Sequence, residues 1–165
     1  MGRRGGKGED MGIFAAAEAL EMAMQIETNG EVFYNAVAAK VADPSVKKLF
    51  QELALQEQRH YEVFQKMAGT VGGAASPSAP EYDEYHVYLQ AALENALFAG
   101  RDKALALAEQ ARDRQAALRV AIGFEKDTLL FFYDLRDMVS GAEQKTVSGI
   151  IHEEKLHLQR LARLL

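Results

Sequence analysis

The chain contains no cysteine, no tryptophan and only three prolines in 165 residues. Without cysteine it can form no disulfide framework, no CxxC redox pair and no cysteine-ligated zinc or iron site. This composition fits a reducing compartment, and we predict a cytoplasmic protein. Because so few prolines interrupt a chain that is 48% apolar, the first expectation is a single helical domain.

Basic residues are outnumbered by acidic ones. The formal net charge is −5 and the sequence pI is about 5.4, so the chain offers no electrostatic basis for binding nucleic acid or an anionic membrane. Residues 1–12 are Gly-rich and charged without apolar periodicity, which predicts a disordered tail. A nucleic-acid-binding arm is the alternative, supported by only three basic residues. The apolar stretch 13–24 is too short for an export signal or membrane segment, and its flanks are too acidic.

Apolar side chains recur at helical spacing in four long segments, which predicts an all-α domain over 13–165. Asp43 and Pro44 mark the first turn, where Asp43 is expected to cap the second helix. The predicted helices run over about 13–41, 44–68, 113–139 and from 142 to the C-terminus.

A long connection, over about residues 69–111, separates the two predicted helix pairs. It begins as a linker by composition, with the sequence GTVGGAASPSAP. Apolar spacing predicts a short helix over 81–98, and another is expected over 102–111. Packing of the 81–98 helix on the bundle or on a partner chain is the main interpretation, and a redox or ligand role for its tyrosines and His86 is the alternative. Such a crossover allows the second and third long helices to run parallel.

One motif, a Glu and a His three residues apart in a helical segment, occurs twice. Glu57 precedes His60, and 97 positions later Glu154 precedes His157. Side chains with this spacing project from the same side of a helix, about one turn apart. The two stretches therefore each offer a carboxylate and an imidazole to a common point.

Each motif has one earlier glutamate as a partner. Glu27 lies 30 residues before Glu57, and Glu125 lies 29 residues before Glu154. Such matching distances indicate an internal repeat of two helix pairs. At 1.5 Å per residue, both members of a pair lie about 20 Å from the turn between their helices. Antiparallel packing would therefore bring them level.

The four glutamates lie on the apolar faces of their predicted helices. Phe50, Leu53 and Phe64, for example, share the face of Glu57. An isolated buried carboxylate costs many kcal/mol, so a compensating charge is required. Two divalent cations would balance four carboxylates, with neutral imidazoles completing their shells. Oxygen-rich coordination with two nitrogens and no sulfur favours iron or manganese over structural zinc, although zinc could substitute.

These residues resemble the di-iron domain of rubrerythrins, within the ferritin-like superfamily. The resemblance covers about residues 13–165 apart from the connection, and it rests on both Glu-x-x-His motifs and on Glu27 with Gly30, Phe33 and Tyr34. It implies a ferritin-like four-helix bundle of two antiparallel helix pairs joined by a long, partly helical crossover, with two bound iron ions.

The resemblance also implies a role for each site residue. Glu57 and Glu154 would bridge the two metals, and Tyr34 would sit near Glu27 as a hydrogen-bond donor in the catalytic centre. The remaining ligands would be Glu27, Glu125, His60 and His157.

Three departures from the family pattern bear on activity. Rubrerythrins that reduce peroxide usually carry a further Glu three residues after the third-helix ligand, where this chain has Thr128. The position that matches Tyr34 in the second half is Phe132, with Tyr133 displaced by one. The family's rubredoxin module needs four cysteines, and this chain has none. Electrons would therefore come from a separate donor protein.

The function implied by the resemblance is oxidation of a ferrous pair by hydrogen peroxide or oxygen, followed by re-reduction from the external donor. A ferroxidase or iron-handling protein is one alternative, and a non-catalytic bundle with structural metal is another. A homodimer is expected, since the family often forms dimers and sometimes exchanges helices. Neither a nucleic acid nor a membrane is an expected partner.

Overall fold

The computed structural model of the chain describes residues 7–70, 87, 91, 100–111 and 113–165, with side chains from residue 16 onward. This part of the chain contains no strand, and the prediction of an all-α fold is confirmed. Its helices with described bounds are α1 (Lys7–Lys40), α2 (Pro44–Thr70), α3 (Arg101–Gln110), α4 (Arg114–Met138) and α5 (Gly141–Leu164).

The predicted helix boundaries agree with the structure to within two residues, except at the start of α1. This helix begins at Lys7, so residues 7–12 of the predicted tail are helical, while residues 1–6 lie outside the described residues. Adding a residue to an existing helix costs far less than nucleating one. The long helix that follows can therefore extend backwards into a Gly-rich stretch.

Aspartate caps define the beginnings of two helices. Asp43 Oδ1 accepts hydrogen bonds from the backbone N–H groups of Ser45 and Val46, at 2.9 Å and 3.1 Å, as the sequence predicted. Asp113 likewise accepts from the backbone N–H of Ala116 at 2.8 Å. Each cap satisfies donors that have no partner within the first turn of a helix, which contributes about 1 kcal/mol.

The long helices form two pairs, each closed by a short turn. α1 packs along α2 and α4 packs along α5, while α1 also contacts α3 and α4, and α2 contacts α5. The inner faces of the four long helices therefore meet around one shared core. The largest fully buried side chains of this core include Tyr34, Phe33, Phe50, Phe64, Phe124 and Phe132.

The predicted helix over 81–98 lies outside the described residues, apart from Val87 and Ala91, which are helical. Its tyrosines and His86 also lie outside them. Among the helices that the structure describes, none combines the length and the apolar character needed to cross a bilayer.

Candidate metal centre

All six predicted ligand residues lie in one buried cluster between the two helix pairs. Each is at most 2% exposed. They form two overlapping groups, and within each group the candidate ligand atoms all lie within 4.8 Å of one another. The groups are Glu27, Glu57, His60 and Glu154, called site A, and Glu57, Glu125, Glu154 and His157, called site B.

Two carboxylates, those of Glu57 and Glu154, belong to both sites. Glu154 Oε1 lies 2.7 Å from His60 Nδ1, and Glu154 Oε2 lies 2.8 Å from His157 Nδ1. The two imidazole rings are nearly parallel, with centroids 5.7 Å apart. One oxygen of Glu154 therefore faces each site, which is the position that a bridging carboxylate takes.

The outer carboxylates lie on opposite sides of this centre. Glu27 Oε1 lies 3.6 Å from His60 Nδ1, and Glu125 Oε1 lies 3.6 Å from His157 Nδ1. The helix pairs thus contribute symmetrically, because each supplies one outer glutamate, one shared glutamate and one histidine. In the sequence, matching ligand residues of the two pairs are 97 or 98 residues apart, which reflects this symmetry.

Most buried polar atoms that lack a hydrogen-bond partner belong to this cluster. Within the described part of the chain, both oxygens of Glu27, Glu57 and Glu154 lack one, as does Nδ1 of each histidine. Outside the six residues, the described buried side-chain atom that lacks a hydrogen-bond partner is Thr128 Oγ1. An unsatisfied buried polar group costs about 1–3 kcal/mol. Since these atoms are all good metal ligands and converge in two groups, the residues fit a pair of bound cations.

Without metal, crowding shifts the pKa values of the carboxyl groups. Burial raises the pKa of Glu57 well above its usual value, and the neighbouring carboxylates raise it further. Burial and the charge of Glu154 raise the pKa of Glu125 to about 8. Burial would also raise the pKa of Glu154, but the adjacent imidazoles of His157 and His60 outweigh it and lower that pKa. Glu154 therefore has the strongest tendency of these carboxyl groups to stay ionised.

The pKa values of both histidines are raised, which favours their protonated form. Burial lowers the pKa of His60, but the charge of Glu27 and the close carboxylate of Glu154 outweigh it and raise the pKa to about 12. The close carboxylates of Glu125 and Glu154 likewise outweigh burial and raise the pKa of His157 to about 9. Both imidazoles thus carry protons at neutral pH in the metal-free protein. Metal binding must release these protons.

The prediction of the partner of Tyr34 is wrong. Its hydroxyl donates a hydrogen bond to Glu125 Oε1, not to Glu27. Tyr34 lies almost two turns beyond Glu27 along α1, and α1 also packs against α4. The long phenol side chain therefore reaches the other helix pair. Burial and the charge of Glu125 raise the pKa of Tyr34 well above 10, so the hydroxyl keeps its proton. Around it lie the rings of Phe33, Phe50 and Phe124.

One residue near the site, Glu153, received no role from the sequence. Its Oε2 lies 3.0 Å from His60 Nε2, on the side of the ring that faces away from the cluster. The signal that could have found it is its place directly before Glu154, where the first motif has Gln56. In contrast, Nε2 of His157 has no hydrogen-bond partner among the described residues.

The glycine at position 30 makes room for a predicted ligand and also for a neighbouring helix. A Cβ atom there would lie 2.7 Å from Glu57 Oε2 and 2.8 Å from a ring carbon of Phe124. Real Cβ atoms essentially never show such distances. Gly30 is therefore required so that Glu57 and the aromatic ring can occupy their positions beside α1.

The architecture matches that of a solved protein, described as "ferritin like, diiron-carboxylate proteins from Bacillus anthracis str. Ames". The TM-score is 0.65 at 18% identity, and the match covers 93% of this chain and 97% of that chain. At this identity the likeness shows the fold, which is ferritin-like. No curated protein matches the chain. The rubrerythrin family model matches residues 18–165, a range that includes all six clustered residues. The chain belongs to the rubrerythrin family.

Proposed function

We propose that this protein is a di-iron oxidoreductase that reduces hydrogen peroxide or oxygen with electrons from a separate donor protein. The observation that carries the proposal is the pair of overlapping sites A and B, which share Glu57 and Glu154. Four carboxylates and two imidazoles suit iron or manganese, and they balance the charge of two divalent ions. Membership of the rubrerythrin family supports iron as the metal.

In this proposal, the residues of the chain hold the two ions and set their distance from each other. Glu57 and Glu154 would hold both ions, while Glu27 with His60 would complete site A and Glu125 with His157 would complete site B. When bound, two adjacent iron ions supply two one-electron changes and polarise a bound oxidant. Hydrogen peroxide would take up two electrons and two protons to yield two molecules of water, whereas oxygen would take up two electrons and two protons to yield hydrogen peroxide. The donor protein would return the two electrons.

Tyr34 has a proposed role in orienting Glu125. Its hydroxyl donates to Glu125 Oε1, which leaves Glu125 Oε2 as the oxygen without a hydrogen bond. Because the hydroxyl keeps its proton, it can hold the carboxylate in one orientation while charge changes nearby. Phe33, Phe50 and Phe124 pack around the phenol and exclude water from that side of the centre.

The test is anaerobic loading with ferrous iron, metal counting, and one addition of peroxide followed by absorbance. We expect two irons per chain and stoichiometric oxidation. Glu57→Gln should lose both the iron and the oxidation, while Glu62→Gln, a change of the same type at an exposed position of α2, should lose neither. An iron content of one or zero per chain in the unaltered protein would refute the proposal.

The second candidate is a ferroxidase that handles iron. It is favoured by Thr128, which is fully buried where peroxide-reducing rubrerythrins usually carry a glutamate. Repeated oxidation of excess ferrous ion by oxygen, with no electron donor present, would identify this activity. A structural role for the metal would instead give equal binding of zinc and iron, with no oxidation by peroxide.

A further inference from the structure

We infer that the two sites are unequal, and that site A binds a divalent ion more tightly than site B because Glu153 supports its histidine. This inference rests on the proposed metal pair. The predicted ligands of the two sites match in kind, since each has one outer glutamate, one histidine and the two shared carboxylates. The difference lies in the groups that contact those ligands from behind.

The two histidines differ in what faces Nε2, the nitrogen away from the cluster. His60 Nε2 lies 3.0 Å from the carboxylate of Glu153, whereas His157 Nε2 has no hydrogen-bond partner among the described residues. A carboxylate that accepts a hydrogen bond from one nitrogen of an imidazole fixes the orientation of the ring. It also makes the other nitrogen a stronger metal ligand. His60 Nδ1 should therefore bind an ion better than His157 Nδ1.

The outer carboxylates differ in the same direction. Both oxygens of Glu27 lack a hydrogen-bond partner within the described part of the chain. Glu125 Oε1 instead accepts a hydrogen bond from Tyr34. A hydrogen bond occupies one of the lone pairs of the accepting oxygen, which leaves that oxygen less able to bind a cation. Site A thus has the stronger imidazole and the stronger outer carboxylate.

The internal repeat locates this inequality in two pairs of positions. Glu153 in the second half corresponds to Gln56 in the first, and Phe132 corresponds to Tyr34. The side chain of Gln56 accepts from Arg160 at 3.4 Å. Gln56 thus offers a neutral amide at the position where Glu153 offers a charged acceptor. Phe132 offers an apolar ring at the position where Tyr34 offers a hydroxyl donor.

The experiment is a titration of the metal-free protein with cobalt(II) alone. Calorimetry and visible absorption monitor the binding of the ions. We expect two ions per chain, bound in two steps of different affinity. Glu153→Gln should weaken the tight step. Loss of a group behind a metal ligand typically costs 10- to 100-fold in affinity. We expect the lower end, about tenfold, because the side chain of Glu153 is 53% exposed and water competes there.

Two further variants assign the steps to the sites. Tyr34→Phe frees Glu125 Oε1, so it should strengthen the weak step and leave the tight step unchanged. Glu62→Gln removes one negative charge from an exposed position two residues beyond His60 on α2, and it should leave both steps unchanged. Melting curves of the metal-free variants verify that each is folded before the titration.

Each outcome supports or overturns the inference. Two steps of equal affinity in the unaltered protein would overturn it and leave the metal pair standing. An effect of Glu153→Gln no larger than that of Glu62→Gln, or an effect on the weak step alone, would also overturn it. Failure to bind any ion would refute the proposed function together with this inference.

Discussion

The two helix pairs supply the same set of candidate ligands, but the residues around those ligands differ. α1 carries Gly30 and Tyr34, and at the matching positions α4 carries Thr128 and Phe132. Tyr34 donates a hydrogen bond to Glu125. The hydroxyl that contacts Glu125 of the second pair thus comes from the first pair. Among the described residues, none of the second pair donates a hydroxyl to Glu27 in return. Any functional difference between the two halves therefore depends on neighbours of the ligands.

The second pair fills its matching positions with packing contacts. The ring of Phe132 lies against that of Phe64, with centroids 5.1 Å apart. Thr128 is fully buried, and its Oγ1 has no hydrogen-bond partner among the described residues. Removal or addition of one group at a time tests which contacts make the halves different.

The largest effect on metal content is expected from changes to Glu57 and Glu154, the carboxylates that both sites share. Glu57→Ala should reduce bound metal to less than one ion per chain, because it removes a ligand from both sites. Glu27→Ala should retain about one ion, in site B. Metal at about 1,000 times its dissociation constant stabilises the folded state by about 4 kcal/mol, so the rise in Tm on metal loading should vanish for Glu57→Ala. Metal analysis and melting curves measure both effects, and equal loss of metal in the two variants would contradict the shared role.

The second prediction concerns pH and compares the metal-free protein with the metal-loaded one. Folded-state pKa values of about 9 for His157 and about 8 for Glu125 lie above the usual 6.5 and 4.5. The folded state thus binds more protons, and its stability falls as pH rises through these values. The lowered pKa of Glu154 has the opposite effect below about pH 4.5.

The Tm of the metal-free protein should therefore be highest near pH 4.5, where the opposing effect of Glu154 ends, and fall steadily towards pH 9. Metal binds the deprotonated ligands, so the gain in Tm on metal loading should grow over the same range. Calorimetric scans of both forms at several pH values provide the measurement. A metal-free Tm that rises between pH 6.5 and 9 would contradict the assigned pKa directions.

The third prediction compares two helical glycines. At Gly30 an added Cβ would meet Glu57 Oε2 and the ring of Phe124, and overpacking of this kind costs about 1–3 kcal/mol. Gly30→Ala should therefore lower the free energy of unfolding by about 1 kcal/mol, after allowance for the better helix propensity of alanine. It should also weaken metal binding, because the carboxylate of Glu57 must move.

Gly123→Ala is the matched control on α4, because an added Cβ meets nothing within 4 Å there. Alanine should raise the free energy of unfolding at this exposed position by about 0.5–1 kcal/mol. Urea denaturation of the two metal-free variants gives both signs. A stabilised Gly30→Ala variant with unchanged metal affinity would show that the close approach at α1 is not required.

The last prediction concerns the loss of one hydroxyl. Tyr34→Phe removes the hydrogen bond to Glu125, which should lower the stability of the metal-free protein by about 1–2 kcal/mol. The stabilisation gained on metal loading should increase, since a freed carboxylate oxygen binds cations better. Tyr133→Phe is the control, because Tyr133 contacts Arg136 and Lys155 through the face of its ring. Urea denaturation with and without metal distinguishes the two variants.

Much of the fold could be predicted from the sequence because its signals are local. Apolar spacing and the aspartate at position 43 located helix boundaries to within two residues, since periodicity and capping depend on residues within one or two turns. The start of α1 could not be predicted in this way. Its extension to Lys7 depends on the long helix behind it, which Gly-rich composition does not reveal.

By itself, the sequence determined which residues could form the centre, because two Glu-x-x-His motifs and two earlier glutamates recur at matching spacing on apolar faces. Only the tertiary structure decided which groups support them. Tyr34 contacts Glu125, Glu153 lies behind His60, and Gly30 leaves room for Glu57. Each of these contacts joins two different helices. Helical periodicity specifies the face on which a side chain lies, whereas its partner depends on how closely, and at what level, another helix packs against that face.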